Sequence, residues 1–284
     1  MRTSKTRIAL PLGLLLAACA ANGGKPPADP VAASMVPAAT ARPGPAPVPG
    51  YLPAGAVDML KVMPPAPTAG DPRDEADRRI FRETRAFKDT PRWTMASDDA
   101  QLGTAPMLHH FSCAIDIELG PQQAPKLVRL LQRATRDAAQ AMARAKDHYK
   151  RQRPFLVDEG EICRPREETG TSYDYPSGHT TAGWAWGLAL AQVAPDRATA
   201  VLARARAIGD SRVVCGVHNA SAVTAARMLT GATVALATAT TEYQQDLAAA
   251  REELAALRAG PHSSPAPARC EAEARLVDQP LPVN

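Results

Sequence analysis

A chain of 284 residues has room for one sizeable domain with appendages. Its scarce aromatics (4 %) and its Ala-, Leu-, Glu- and Arg-rich middle and end favour helices over sheet. The formal charge of +4 is spread among acidic residues with no long basic block, which argues against nucleic-acid binding and leaves room for a basic pocket that takes one anion. An all-α core is expected.

In chain order, Met1 to Arg7 is basic and precedes an apolar stretch, Ile8 to Ala18, that is too short to span a bilayer, so residues 1–18 read as an export signal. Leu16-Ala17-Ala18-Cys19 resembles the lipobox of bacterial lipoproteins, which makes Cys19 the expected site of a lipid anchor. An ordinary signal peptide is the alternative. Ala20, rather than an aspartate, follows the cysteine, which by resemblance to Gram-negative sorting rules favours an exported, periplasmic protein held at the outer membrane. Residues 19–53 are rich in Pro, Ala and Gly without an apolar period and read as a disordered tether. Tyr51 to Pro67 carries Leu60, Val62 and Met63 among prolines and is expected to pack irregularly on the core.

Helices are expected at Pro72–Phe87, Ser97–Leu102, Met107–Ile117 and, most clearly, Ala124–Tyr149. There Leu127, Leu130, Leu131, Ala134, Ala138, Ala141, Met142 and Ala145 recur at three- and four-residue steps as a core stripe. Further helices are expected at Thr180–Val193, Pro195–Val213 and Ser221–Leu247, with an Ala/Glu/Leu/Arg segment to Arg258 continuing or following the last. Residues 261–284, with several prolines, read as a loose tail.

Three segments concentrate anion-binding groups. Lys146 and Arg153 are seven residues apart, so they can project from one helix face, with Pro154 ending the helix and freeing the arginine to turn inward. Pro176-Ser177-Gly178-His179 precedes an apolar helical run, which places Ser177 and Gly178 where free N–H groups and the positive helix end collect anions. Arg212 and His218 are six apart, about 240° around an unbroken helix, so the chain must break between them, and Gly216 offers the place. Taken singly, the first pair reads as two cations on a solvated face and the second motif as a plain helix cap.

Together and in this order they resemble the signature of the type 2 phosphatidic acid phosphatase superfamily: Lys146…Arg153-Pro154, Pro176-Ser177-Gly178-His179 and Ser211-Arg212…His218, all at the expected spacing. The soluble class A non-specific acid phosphatases look nearest, because the likeness extends through Lys146-Asp147-His148-Tyr149, Gly183-Trp184-Ala185 and Val213 to Val217. It covers about Asp98 to Leu254. No segment after Cys19 reads as long and apolar enough to be a spanning helix of the membrane-integral relatives.

The resemblance implies a compact helical bundle of the phosphatidic acid phosphatase/vanadium haloperoxidase type over residues 54–260. It also implies metal-independent hydrolysis of phosphomonoesters without a cofactor. His218 is then the nucleophile that forms a phosphohistidine and His179 the acid, with Lys146, Arg153, Ser177, Gly178 and Arg212 binding phosphate. His109, His110, His148 and His262 receive no role. Besides Cys19, the cysteines are Cys113, Cys163, Cys215 and Cys270, an even number with three connectivities and no metal-site spacing. Cys163 with Cys215 is the favoured pair, since they flank segments that the motifs bring together. A homodimer is compatible with the sequence but not required by it.

One position departs from the pattern: Ala222 stands where the superfamily has an aspartate four residues after the nucleophile. That carboxylate would accept the Nδ1 proton and leave Nε2 free to attack. A backbone carbonyl, Ser221, Asn219 or a carboxylate from elsewhere must then orient His218. Otherwise the chain is a catalytically impaired phosphate-binding lipoprotein. A vanadium-dependent haloperoxidase, with His218 as metal ligand, is a further alternative.

Overall fold

The structure, a computed structural model, describes residues 48–169 and 172–282. The export signal, the lipobox at Cys19 and most of the tether lie outside the described residues. Among those described there are helices and no strands, so the fold is all-α.

Four short helices lead in: α1 (Met59–Val62), α2 (Pro72–Thr84), α3 (Pro91–Asp98) and α4 (Thr104–Ile115). Sequence chemistry sets the starts of α2 and α3. Pro72 and Pro91 occupy first helical positions, and the Asp71 and Thr90 side chains accept from Arg73 N and Trp93 N. The helix expected at Ser97–Leu102 is therefore displaced on both sides: α3 starts earlier at its Thr90 cap, and Gly103 opens α4.

The bundle proper consists of α5 (Pro125–Tyr149), α7 (Gly178–Val193), α8 (Ala198–Val214), α9 (Ala220–Ala237) and α10 (Thr241–Ala259), with the one-turn α6 (Arg166–Thr169) in the connection from α5 to α7. Seven members of the expected α5 stripe are buried, Leu127 through Ala145, while Met142 packs at the margin. Helix α7 is apolar nearly all round and sits at the centre, against α5, α8, α9 and α10. Its closest approach is to α8 at Gly187, where a Cβ would lie 2.3 Å from that of Ala205. By length and composition α9 could cross a membrane, contrary to the expectation from sequence, but half of it is buried against its neighbours, as in a core helix.

Three more expectations are corrected. The helix expected over Ser221–Leu247 is two helices, because Thr238 and Thr240 turn their hydroxyls onto the carbonyls of Ala235 and Ala237 and Thr240 then caps α10 through Tyr243 N. The expected loose tail contains a helix, α11 (Pro267–Val277), tied to α4 by the Cys113–Cys270 disulfide. At the other end, the tether expected to run to residue 53 is already packed at Tyr51, whose N–H donates to Asp137 at 2.8 Å and whose hydroxyl reaches Asp246 at 2.9 Å.

Candidate active site

The C-terminal end of α5, the N-terminus of α7 and the C-terminal end of α8 come together at one site. Lys146 lies in the last turn of α5. The helix ends at Tyr149, before Pro154, because Lys150 adopts a left-handed conformation (φ 48°) and donates its N–H to Lys146 O. Lys146 and Arg153 therefore do not share a helix face as the seven-residue spacing implied. They still converge: Lys146 Nζ reaches Tyr173 O, and Arg153 Nε donates to Ser172 O at 2.7 Å.

Ser177 is the N-cap of α7, accepting from Thr180 N at 3.4 Å and from the Thr180 hydroxyl at 2.9 Å. Gly178 and His179 form the first turn, where N–H groups have no intrahelical acceptor. A Cβ on Gly178 would meet nothing closer than Met142 Cε at 3.5 Å, so packing alone does not demand glycine there. The ring of His179 rests on Ala100 O at 3.1 Å through Nε2.

Arg212 is in the last turn of α8. Gly216, at φ 76°, reverses the chain so that Val217 N and His218 N both donate to Arg212 O, at 3.1 and 3.2 Å. This is the break that the six-residue spacing required, and it brings Arg212 and His218 to the same site. The favoured disulfide, Cys163–Cys215, is present beside it.

Electrostatically the site is unusual. Among the described residues Lys146, Arg153 and Arg212 form no ion pair with a carboxylate. Arg212 is fully buried, yet among the described residues its Nε has no hydrogen-bond partner and its Nη2 has only long contacts, 3.4 Å to Ala96 O and 3.8 Å to Cys163 Sγ. Burial lowers it to about 10, and burial with the nearby Arg153 lowers Lys146 to about 8. A buried guanidinium without a partner is costly, and an anion would supply what the protein does not.

The two histidines respond to the same field. Burial first, then Arg153, Lys146 and Arg212, hold His218 well below the ordinary imidazole value; burial, Arg212 and His218 do the same to His179. Both rings are therefore neutral near pH 7. For His218 the neighbours also select the tautomer. Nδ1 lies 3.0 Å from Asp174 Oδ1, and Nε2 lies 3.2 Å from Arg153 Nη1. Arginine can only donate, so Nε2 carries the lone pair and the proton sits on Nδ1, facing the carboxylate.

Two members of this site are absent from the sequence-based set. Asp174 is fully buried and also accepts from Asn219 N at 3.1 Å, Asn219 Nδ2 at 2.9 Å and Arg151 Nη1 at 3.3 Å. Arg151 in turn binds Asp74 at 2.7 Å, Asp77 at 3.0 Å and the Ser221 hydroxyl at 2.8 Å. Of the acceptors considered for His218, a carboxylate from elsewhere is the one present. Asn219 and Ser221 serve that network instead of the ring. The available signal was weak: an acid two residues before Pro176, and an arginine inside a stretch that the motif leaves variable.

These observations agree with the comparisons to known proteins. Residues 133–246 match the PAP2 superfamily model. An acid phosphatase of Zymomonas mobilis is 37 % identical over 208 residues, covering 72 % of this chain and 79 % of that protein. Non-specific acid phosphatases of Providencia stuartii and Salmonella typhi are 34 % and 33 % identical, again over 72 % of this chain and 83 % and 84 % of theirs. The chain belongs to the PAP2 superfamily. Within it, the chain is an enzyme of the acid phosphatase class.

Proposed function

We propose that the chain hydrolyses phosphate monoesters without a metal ion, through a phosphohistidine on His218. One observation carries this reading: three cations that lack carboxylate partners among the described residues act on a neutral imidazole whose Nε2 lone pair faces Arg153. In the first step Nε2 forms the N–P bond as the ester P–O bond breaks, and His179 gives its proton to the leaving oxygen. In the second, water attacks phosphorus, the N–P bond breaks and His179 takes the proton back. Lys146, Arg153, Arg212 and the N–H groups of the α7 first turn, Ser177 to His179, would hold the equatorial oxygens, the part that metal ions play in other phosphatases.

The depressed His218 value supports turnover in acid. A nucleophile held below the ordinary imidazole pKa stays unprotonated at pH values where a free histidine would be blocked. His179, lowered by burial and by Arg212, gains its proton when the negative charge of the substrate offsets Arg212 beside it. Substrate breadth follows from the same geometry, since the cations recognise the phosphoryl group and leave the alcohol unspecified. Two disulfides together with the basic-apolar leader support export, with Cys19 as lipid anchor. Loss of palmitate labelling in C19S tests the anchor.

The test is p-nitrophenyl phosphate hydrolysis across mildly acidic to neutral pH with chelator present. Wild-type turnover that is lost in H218A, and a phosphohistidine trapped by acid quench, are expected. Turnover abolished by the chelator, or retained in H218A, overturns the reading.

A further inference from the structure

The Nδ1 proton of His218 needs an acceptor, and the superfamily's position for it is empty of carboxylate: Ala222 is fully buried and has no polar side chain to offer. We propose that Asp174 is the positioning residue for His218, with Arg151 fixing the carboxylate's orientation and linking it to Asp74 and Asp77 on α2. The proposal rests on the phosphatase reading for its kinetic part and on geometry alone for its structural part.

Four contacts define the arrangement. Asp174 Oδ1 takes His218 Nδ1–H and Asn219 N–H, while Oδ2 takes Asn219 Nδ2–H and Arg151 Nη1–H. Every one of these partners is a donor, so both oxygens act as acceptors and the group is a carboxylate, not a carboxylic acid. Its pKa is raised by burial, which Arg151 and the Asn219 donors oppose without outweighing. The Asn219 backbone is covalently next to His218, so carboxylate and ring are held in register by the same stretch of chain.

Arg151 makes the difference between a contact and a device. Its Nη1 touches Asp174, Asp77 and the Ser221 hydroxyl, and its Nη2 touches Asp74. Asp77 also accepts Ser221 N–H at 2.9 Å, at the start of α9. The carboxylate that orients the ring is therefore braced from α2 and α9 together, rather than carried one helical turn beyond the histidine. Ala222 is compatible with this: it gives its carbonyl to Ser177 N at 3.1 Å, and its methyl packs in the cluster that holds Tyr175.

Asp174→Asn is a sharp probe, because all four partners are donors and an amide accepts at only one of the two oxygen positions; with its oxygen at the Oδ2 position it keeps Asn219 Nδ2–H and Arg151 and turns its NH2 toward Asn219 N–H. The amide NH2 would then also face His218 Nδ1, which must become an acceptor and move its proton to Nε2, against Arg153. Imidazole 15N NMR of the soluble chain reads this directly. The wild type is expected to show His218 protonated at Nδ1, and D174N to show the opposite tautomer. Turnover of p-nitrophenyl phosphate should fall by about 10²–10⁴-fold with KM changed far less, by analogy with amide replacement of a triad carboxylate. D174A should lose a similar factor, and D174A/A222D should recover at least about tenfold over D174A, because the imidazole regains an acceptor.

Turnover of D174A within about threefold of wild type, with the His218 proton still on Nδ1, overturns the proposal. Should D174A fail to fold, A222D in the wild-type background decides. If Asp174 already orients the ring, a second carboxylate brings no gain; if the ring lacks an orienting group, A222D raises turnover at least about tenfold and the proposal fails. A tautomer change in D174N from a chain with no turnover at all would support Asp174 while rejecting the phosphatase mechanism, so the two failures are distinguishable.

Discussion

Arg204 and Arg212 lie on the same helix, eight residues apart, and both are buried, yet they do different work. Arg204 forms a two-pronged pair with Asp99, Nη1 at 3.2 Å and Nη2 at 2.5 Å, and it caps His110 O from the other side. Burial opposes its charge, but Asp99, with Glu273 at 3.5 Å, outweighs that and raises its pKa; Arg212, with burial and no matching carboxylate contact among the described residues, is lowered to about 10. Residue type, helix and burial are shared, so the partner alone separates a cation that holds the fold from one that waits for an anion. Asp99 is common to both regions: it also accepts the Ser211 hydroxyl at 2.6 Å, one residue before Arg212.

The largest expected effects come from exchanging each arginine for methionine. R204M leaves Asp99 buried without its cation and should cost about 3–5 kcal/mol in urea unfolding. R212M removes an unpaired buried charge, so stability should hold or rise, while turnover falls by about 10²–10³-fold through loss of one stabilising donor. Urea midpoints and kcat measured side by side separate the two. If R212M unfolds as readily as R204M, the division between structural and ligand-binding cations collapses.

Next in size is the Cys163–Cys215 disulfide, which joins the segment after Arg153 to the residue three places before His218. C163S/C215S should lose about 2–4 kcal/mol, since the closure spans 52 residues. The comparison sharpens if turnover at temperatures below the new Tm drops more than in C113S/C270S, whose bridge fastens α11 to α4 and touches no cation of the site.

Much of this was legible in sequence because it is periodic or local. The α5 stripe, the Gly216 break between Arg212 and His218, and the Ser177 cap follow from spacing and residue chemistry. What escaped depends on contacts between distant segments or on competition between local bonds. Asp174 acts through burial against Asn219 and Arg151, neither of which marks it in the chain. The Lys146–Arg153 spacing implies one helix face because Lys150 carries no sequence signal for its left-handed cap. The α9–α10 break lies in Ala237-Thr238-Ala239-Thr240, where threonine hydroxyls compete for helical carbonyls, and α11 was hidden by flanking prolines although Cys270 lies within it.

Lys146 gives a smaller, pH-dependent effect. Its value near 8 in the folded protein lies below the ordinary 10.5, so its charge is held at a cost below about pH 8, and that cost fades as pH rises toward 10.5. Anion binding has the opposite sign, because it needs the cation. Affinity for sulfate, which does not titrate here, should therefore weaken as pH rises through 8, by at most about tenfold per pH unit. Titration calorimetry at about pH 7 and pH 9 measures it, and K146M should flatten the dependence. A slope that survives in K146M would assign the titration to another group and remove Lys146 from the set of unpaired cations.

The smallest effect is a control on the idea that pairing matters through burial. Arg79 and Glu83 form an i,i+4 pair on α2 at 2.8 Å, as short as many buried contacts, but their side chains are 45 % and 44 % exposed. Water already solvates both, so removing one partner leaves no stranded charge. R79A should shift Tm by no more than about 2 °C, vanishing at high salt, with turnover unchanged. A loss approaching that of R204M would mean that α2 depends on its ion pairs wherever they lie. The bracing of Arg151 by Asp74 and Asp77 would then reflect the stability of α2 itself and would give no separate support to the site.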